Sequence, residues 1–234
     1  KVDPSYSGSS AINYLNYLGS DITETNSYEI GRFIIYDGNG TTPDADNLAT
    51  ILNSITFNVS GSASLSRIAL YDGTTELSEI AGNTPASFSS LNVIIPDGAF
   101  KVLSIRALFN TSSITDKQLV RFSLFNPTAN ASGSGFGSSG SQQTPDQNIE
   151  VTATQLAFVQ QPTNTAINVA ITPAVTVSAN DTNGNRDLDF VGSIELLSDG
   201  SLTGSSTTQV NAVSGLATFN NLVHNATGTG LKLL

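Results

Sequence analysis

Residues 51–59 read ILNSITFNV, and the alternation within them decides the fold. Ile55, Phe57 and Val59 fall on one side of an extended chain, while Ser54, Thr56 and Asn58 fall on the other. Period two of this kind belongs to a strand with one face buried and one wet. The same rhythm returns further along. Leu103, Ile105, Ala107 and Phe109 alternate around Ser104 and Arg106, and Val120, Phe122 and Leu124 around Arg121 and Ser123. Between such runs lie Asp37-Gly38, Asp72-Gly73 and Asp97-Gly98, dipeptides whose glycine accepts the positive φ of tight turns between antiparallel strands. Regular strand and turn spacing predicts a sandwich or barrel. No window places apolar residues three and four apart over several turns, so almost no α-helix is expected.

From Asn126 to Gln147 the character changes to Ala, Ser, Gly and Gln, too few apolar groups to offset the entropy of ordering, and this predicts a linker or long loop. Strands resume beyond it: Leu156 and Phe158, then Val175, Val177 and Ala179, then Ala217 and Phe219, with Pro162 and Pro173 at breaks and turns at Asn183-Gly184 and Asp199-Gly200. The fold class expected is therefore all-β, two tandem antiparallel β-sandwich domains. Residues 1–130 are expected to form the first, 131–148 a Gly/Ser/Pro-rich linker or long loop, and 149–234 an immunoglobulin-like second without the cysteine pair or tryptophan of true immunoglobulin domains. Residues 230–234, GLKLL, begin a strand and stop, which suggests a second domain cut short at its C-terminal end.

Composition narrows the function. With 12% charged and 38% hydrophobic residues, solubility rests on hydroxyls and amides, as on a β surface. The net charge of −10 is shared: residues 1–148 carry 13 acids against 7 bases and residues 149–234 carry 6 against 2. Neither part suits a phosphate backbone, so nucleic acid is not an expected partner. No apolar run is long enough to span a bilayer. The absence of cysteine removes disulfides and thiolate metal sites.

Two segments carry a resemblance. Ile35 to Gly73, IYDGNGTTPDADNLATILNSITFNVSGSASLSRIALYDG, is similar to a module of very large repetitive surface proteins of Bacteroidetes-type bacteria. Val151 to Leu231, with TQLAFVQQPTNT, VSANDTNGNRDLDF and GLATFNNLVHNATGTGL, resembles the immunoglobulin-like module that follows it there. The resemblance implies an extracellular, cell-surface location, export by the type IX system, and a place among long arrays of which some members are gliding or attachment adhesins. It implies as partners the neighbouring modules of the same polypeptide or neighbouring copies, as in a filament, and supplies no ligand.

Candidate sites are few. Asp37, Asn39, Asp44 and Asp46 lie close together in a glycine-rich loop, and hard oxygen donors so clustered are candidate calcium ligands. The loop is not an EF-hand, since Leu48 stands twelfth from Asp37, and a solvated acidic loop is the competing reading. Asp181, Asn183, Asn185, Asp187 and Asp189 also alternate, but Arg186 stands where a calcium loop needs glycine, which favours a hairpin turn. His224 is the single histidine and no G-x-S-x-G elbow accompanies it, so the chain is expected to be no enzyme. Three functions remain in play: a spacer or stalk, a carbohydrate-binding module stacking surface glycans on Tyr14, Tyr17 and Tyr28, and an accessory domain of a secreted hydrolase.

Overall fold

The computed structural model describes residues 1–38, 45–136 and 142–234. The chain divides into two compact units, Lys1–Glu150 and Val151–Leu234. Both are all-β. The first contains β1 (Ile12–Asn13), β2 (Tyr28–Tyr36), β3 (Thr50–Ser60), β4 (Leu65–Asp72), β5 (Thr75–Ala81), β6 (Ala86–Phe88), β7 (Val93–Ile95), β8 (Phe100–Phe109), β9 (Leu119–Ala129), β10 (Gln142–Gln143) and β11 (Gln147–Glu150). Among the described residues the only helices are two single 3-10 turns, Tyr14–Asn16 and Ser62–Ser64, and none is long and apolar enough to cross a membrane.

Two sheets make the first unit a sandwich. One has the order β2-β8-β4-β5. The other is built on the long antiparallel pair β3 and β9, with β6 and β7 along the free edge of β3, β10 and β11 along the free edge of β9, and β1 outermost. Phe57 on β3 joins the layers: its ring centroid lies 4.9 Å from that of Phe33 on β2, and 6.0 Å from Phe122 and 6.4 Å from Phe88 in its own sheet. The inward set of β3 is Leu52, Ile55, Phe57 and Val59. Leu52 to Ile55 is an odd step that simple alternation forbids, and a register shift between Leu52 and Ser54 absorbs it.

The outer face of the four-stranded sheet is not left wet. Ala69 and Tyr71 on β4 and Leu108 on β8 form a second small cluster with Ile22, and Tyr17 packs against it. The residues between β1 and β2 thus lie across the sheet as a strap. Arg106, on β8, ties the strap down by donating from Nε to the Ser27 hydroxyl (2.8 Å) and from a terminal nitrogen to the Ser27 carbonyl (2.7 Å).

One expectation needs correction. The sequence of 131–148 reads as a linker or long loop, yet the unit boundary falls between Glu150 and Val151, and residues 142–150 complete the larger sheet of the first unit. Polar residues do this because most of their buried polar groups find a partner, Asn148 Oδ1 being an exception among the described residues. Thr144 receives the Phe122 amide on its hydroxyl (3.0 Å) and donates its own amide to the Phe122 carbonyl (2.9 Å). Gln147 is fully buried; its Oε1 accepts from the Ser9 amide (3.0 Å) and its Nε2 donates to the Tyr6 hydroxyl (3.2 Å). Within this otherwise antiparallel sheet, β1 pairs with β11 in parallel.

The second unit contains β12 (Gln155–Gln160), β13 (Val175–Asn180), β14 (Ser193–Glu195), β15 (Gln209–Asn211) and β16 (Leu216–Phe219). One sheet has the order β12-β13-β16 and the other is the pair β14-β15. Val175 and Val177 of β13, Ala217 and Phe219 of β16, and Ile194 of β14 share one core with Ile171, Leu196, Ala212 and Leu222. Leu197 and Leu234 exchange amide-to-carbonyl bonds of 2.9 Å each, which lays the residues around Leu233 beside those following β14.

Candidate functional site

Asp37 follows the last residue of β2 and is fully buried. Its Oδ2 accepts from the Thr50 hydroxyl at the start of β3 (2.8 Å), its Oδ1 from the Gly98 amide (3.0 Å), and its own amide donates to the Ala99 carbonyl (2.9 Å). One carboxylate therefore ties together the end of β2, the start of β3 and the turn before β8. Asp46 is exposed and serves a different loop: its Oδ1 accepts from the Leu48 amide (2.8 Å), and the Ser134 hydroxyl lies 3.0 Å from both of its oxygens. Among the described residues, these bonds of the two candidate calcium ligands go to different partners. The other two, Asn39 and Asp44, lie outside the described residues.

In the second unit the alternating acidic stretch forms a tight turn. Asp181 is fully buried, and its Oδ1 accepts from the amides of Asn183 and Asn185, both at 2.9 Å. The Gly184 amide donates to the Asp181 carbonyl at 3.1 Å, and Gly184 has φ +85°. Asp187 is buried too; its Oδ1 accepts from the amides of Asp189 (3.1 Å) and Phe190 (2.8 Å), and its Oδ2 from that of Ala153 (2.9 Å). Burial pushes the Asp187 carboxyl above the usual range, against the pull of the Ala153 and Phe190 amides. The structural weight of Asp181 and Asp187 was not foreseen from sequence, although an aspartate two residues before Asn-Gly is a recognisable Asx-turn signal.

The tyrosines do not form a sugar platform. Tyr14 has no exposed surface, and Tyr17 and Tyr28 meet edge to face, ring planes 63° apart at 5.2 Å, where stacking on a sugar needs coplanar rings. Tyr36 and Phe100 pair at the far end of β2 and β8, tilted 41° at 6.0 Å, with Phe100 largely exposed.

Each unit has one open concavity to note. That of the first, about 490 Å³, lies between Tyr6, Asp3, Arg121 and Asp146. Its polar groups are already engaged: Arg121 bonds to Asp146 at 2.6 Å, and the Tyr6 hydroxyl donates to the Glu29 carbonyl at 2.6 Å. That of the second, about 520 Å³, is bordered by Ile167, Ile171, His224 and Leu231. His224 Nδ1 has no hydrogen-bond partner among the described residues and packs against Gly200, where a Cβ would sit 3.0 Å from it.

No family model, no curated protein and no solved structure matches the chain.

Proposed function

We propose that the chain is a non-enzymatic structural segment of a larger extracellular surface protein, its two sandwiches serving as spacer or stalk modules. The observation that carries this reading is the employment of its buried and half-buried polar groups. Asp37, Asp181, Asp187 and Arg106 each bind backbone or hydroxyl groups of their own unit and so fix loops and strands. The segments quoted above from residues 35–73 and 151–231 support the same reading through their likeness to repetitive surface modules of Bacteroidetes-type bacteria. A three-stranded sheet facing a two-stranded one across a single core also suits an immunoglobulin-like second unit.

The competing carbohydrate-binding reading would rest on Tyr36 and Phe100. Immobilising the whole chain and passing an array of polysaccharides and oligosaccharides over it separates the two. A spacer retains none of them. Saturable retention that Phe100→Ala abolishes would overturn the proposal in favour of glycan binding.

A further inference from the structure

We propose that Asn183-Gly184 is a deamidation site whose rate is set by the Asp181 turn, so that it converts when the second unit opens and resists while the unit is folded. Both residues are exposed to water. A Cβ built on Gly184 would meet nothing within 4 Å apart from its chain neighbours, so this side of the turn is open to water and hydroxide.

The chemistry needs only water and base. The Gly184 backbone nitrogen gives up its proton to hydroxide and attacks Cγ of Asn183. A new C–N bond closes a five-membered ring as the Cγ–Nδ2 bond breaks and ammonia leaves. Water then opens the ring at either carbonyl, yielding aspartate or isoaspartate at position 183. The net change is one amide and one water converted to one carboxylic acid and one ammonia, with no change of oxidation state.

In the folded unit that nitrogen is engaged. Its proton is donated to the Asp181 carbonyl at 3.1 Å, and the residues on either side, Asn183 and Asn185, donate their amides to Asp181 Oδ1 at 2.9 Å. Asp181 is itself fully buried and donates its amide to the Asn185 carbonyl at 2.9 Å, so the turn cannot swing as a rigid flap. Attack must wait until at least two of these bonds open together, which slows it by roughly tenfold or more. Conversion is then not reversed by refolding. Isoaspartate carries the main chain through an extra methylene, so the amides of Gly184 and Asn185 no longer reach their Asp181 acceptors, and either product adds a negative charge beside Asp181.

The test follows deamidation of the whole chain at mildly alkaline pH by mass spectrometry of its tryptic peptides. The peptide spanning residues 122–186 reports Asn183, and that spanning 33–67 reports Asn39-Gly40, the other such dipeptide in the sequence. In urea both are expected to convert at similar rates. In buffer, Asn183 is expected to convert about tenfold more slowly than in urea, Asp181→Ala to restore the urea rate, and Asp181→Asn, which keeps an acceptor oxygen, to stay slow. Equal rates at Asn183 in buffer and urea, or no conversion there in urea, would overturn the proposal. Should Asp181→Ala leave the second unit unfolded, the buffer-against-urea comparison on the unaltered chain still decides it.

Discussion

The two units solve the same problem with different materials. The first has long strands, up to 11 residues in β3 and β9, and sets charges across them: Arg67 against Glu79, Lys101 against Asp72, Arg121 against Asp146. The second has no strand longer than 6 residues and spends its buried acids, Asp181 and Asp187, on loop amides. Both units leave some large apolar side chains in water, Phe125 68% exposed in the first and Val213 75% and Val191 69% in the second. Long ladders let a sheet hold itself by regular backbone pairing. A sandwich of short strands must fix its loops one carboxylate at a time, and its stability rests on a single compact apolar cluster.

The largest effects should come from the centres of the two cores. Phe57→Ala removes the ring that joins the sheets of the first unit, and Phe219→Ala removes the largest buried side chain of the second core. Each should cost about 3–5 kcal/mol. In denaturant titrations followed by probes in each unit, each substitution should lower the midpoint of its own unit. If either moves both midpoints equally, the units do not unfold as separate cooperative bodies and the comparison fails.

Next is Asp37→Ala, which strands the buried Thr50 hydroxyl and the Gly98 amide and should destabilise the first unit by about 1–3 kcal/mol. Melts with calcium and with chelator sharpen this. A calcium-dependent rise in midpoint that vanishes in Asp37→Ala would make the loop a cation site, as the sequence led us to expect. A loss independent of calcium would leave Asp37 a brace.

How much of this was legible can be seen in particular residues. β3, β8 and β9 announce themselves because Ile, Phe, Val and Leu alternate with Ser, Thr and Arg, and burial enforces that pattern. β10 and β11 do not, because Gln142, Thr144 and Gln147 are held by specific hydrogen bonds to residues far away in sequence, and hydrophobic periodicity is blind to such bonds. The strap before β2 was hidden for a related reason. Ile22 is a lone apolar residue in a polar stretch, and its partners Ala69, Tyr71 and Leu108 arrive much later in the chain. The acidic loop offered as a cation site shows Asp37 in the sequence but not its donors, Thr50 and Gly98.

A subtler contrast is in pH response. In the first unit Asp3 is held below the ordinary carboxylate range, chiefly by the Ser5 hydroxyl, with the Ser5 amide and Arg32 assisting against burial. Its contribution is fully present above the ordinary aspartate value and is lost as pH falls through its lowered value. Asp187 has the opposite sign. Its raised value means the folded second unit binds the proton more readily than the unfolded chain, so acidification through the window between the raised and ordinary values favours folding. Urea titrations of each unit from neutral to mildly acidic pH should show the second gaining relative to the first, and Asp187→Asn should flatten that gain. A parallel decline of both units would contradict the assignment.

The smallest effect should be at Arg121. Its bond to Asp146 is short at 2.6 Å, yet both side chains are 39% exposed, and Arg121→Gln should cost under about 1 kcal/mol and less still at high salt. A larger loss would mean that charge pairs, and not ladders, dominate the first unit.

The buried Gln147 has a consequence for timing. It binds Ser9 and Tyr6, 138 and 141 positions earlier, and its neighbour Gln142 receives the Val2 amide from 140 positions away. The opening residues of the chain find some partners early, Lys1 at Ile34 and Tyr6 at Glu29, but those at Gln142 and Gln147 only when nearly the whole first unit has been delivered. Contacts of such separation form late, because the loop between them must be closed before they give any return. The meeting of the two ends is therefore expected late in the folding of this unit, and until then the β9 edge of the larger sheet stands open to another strand.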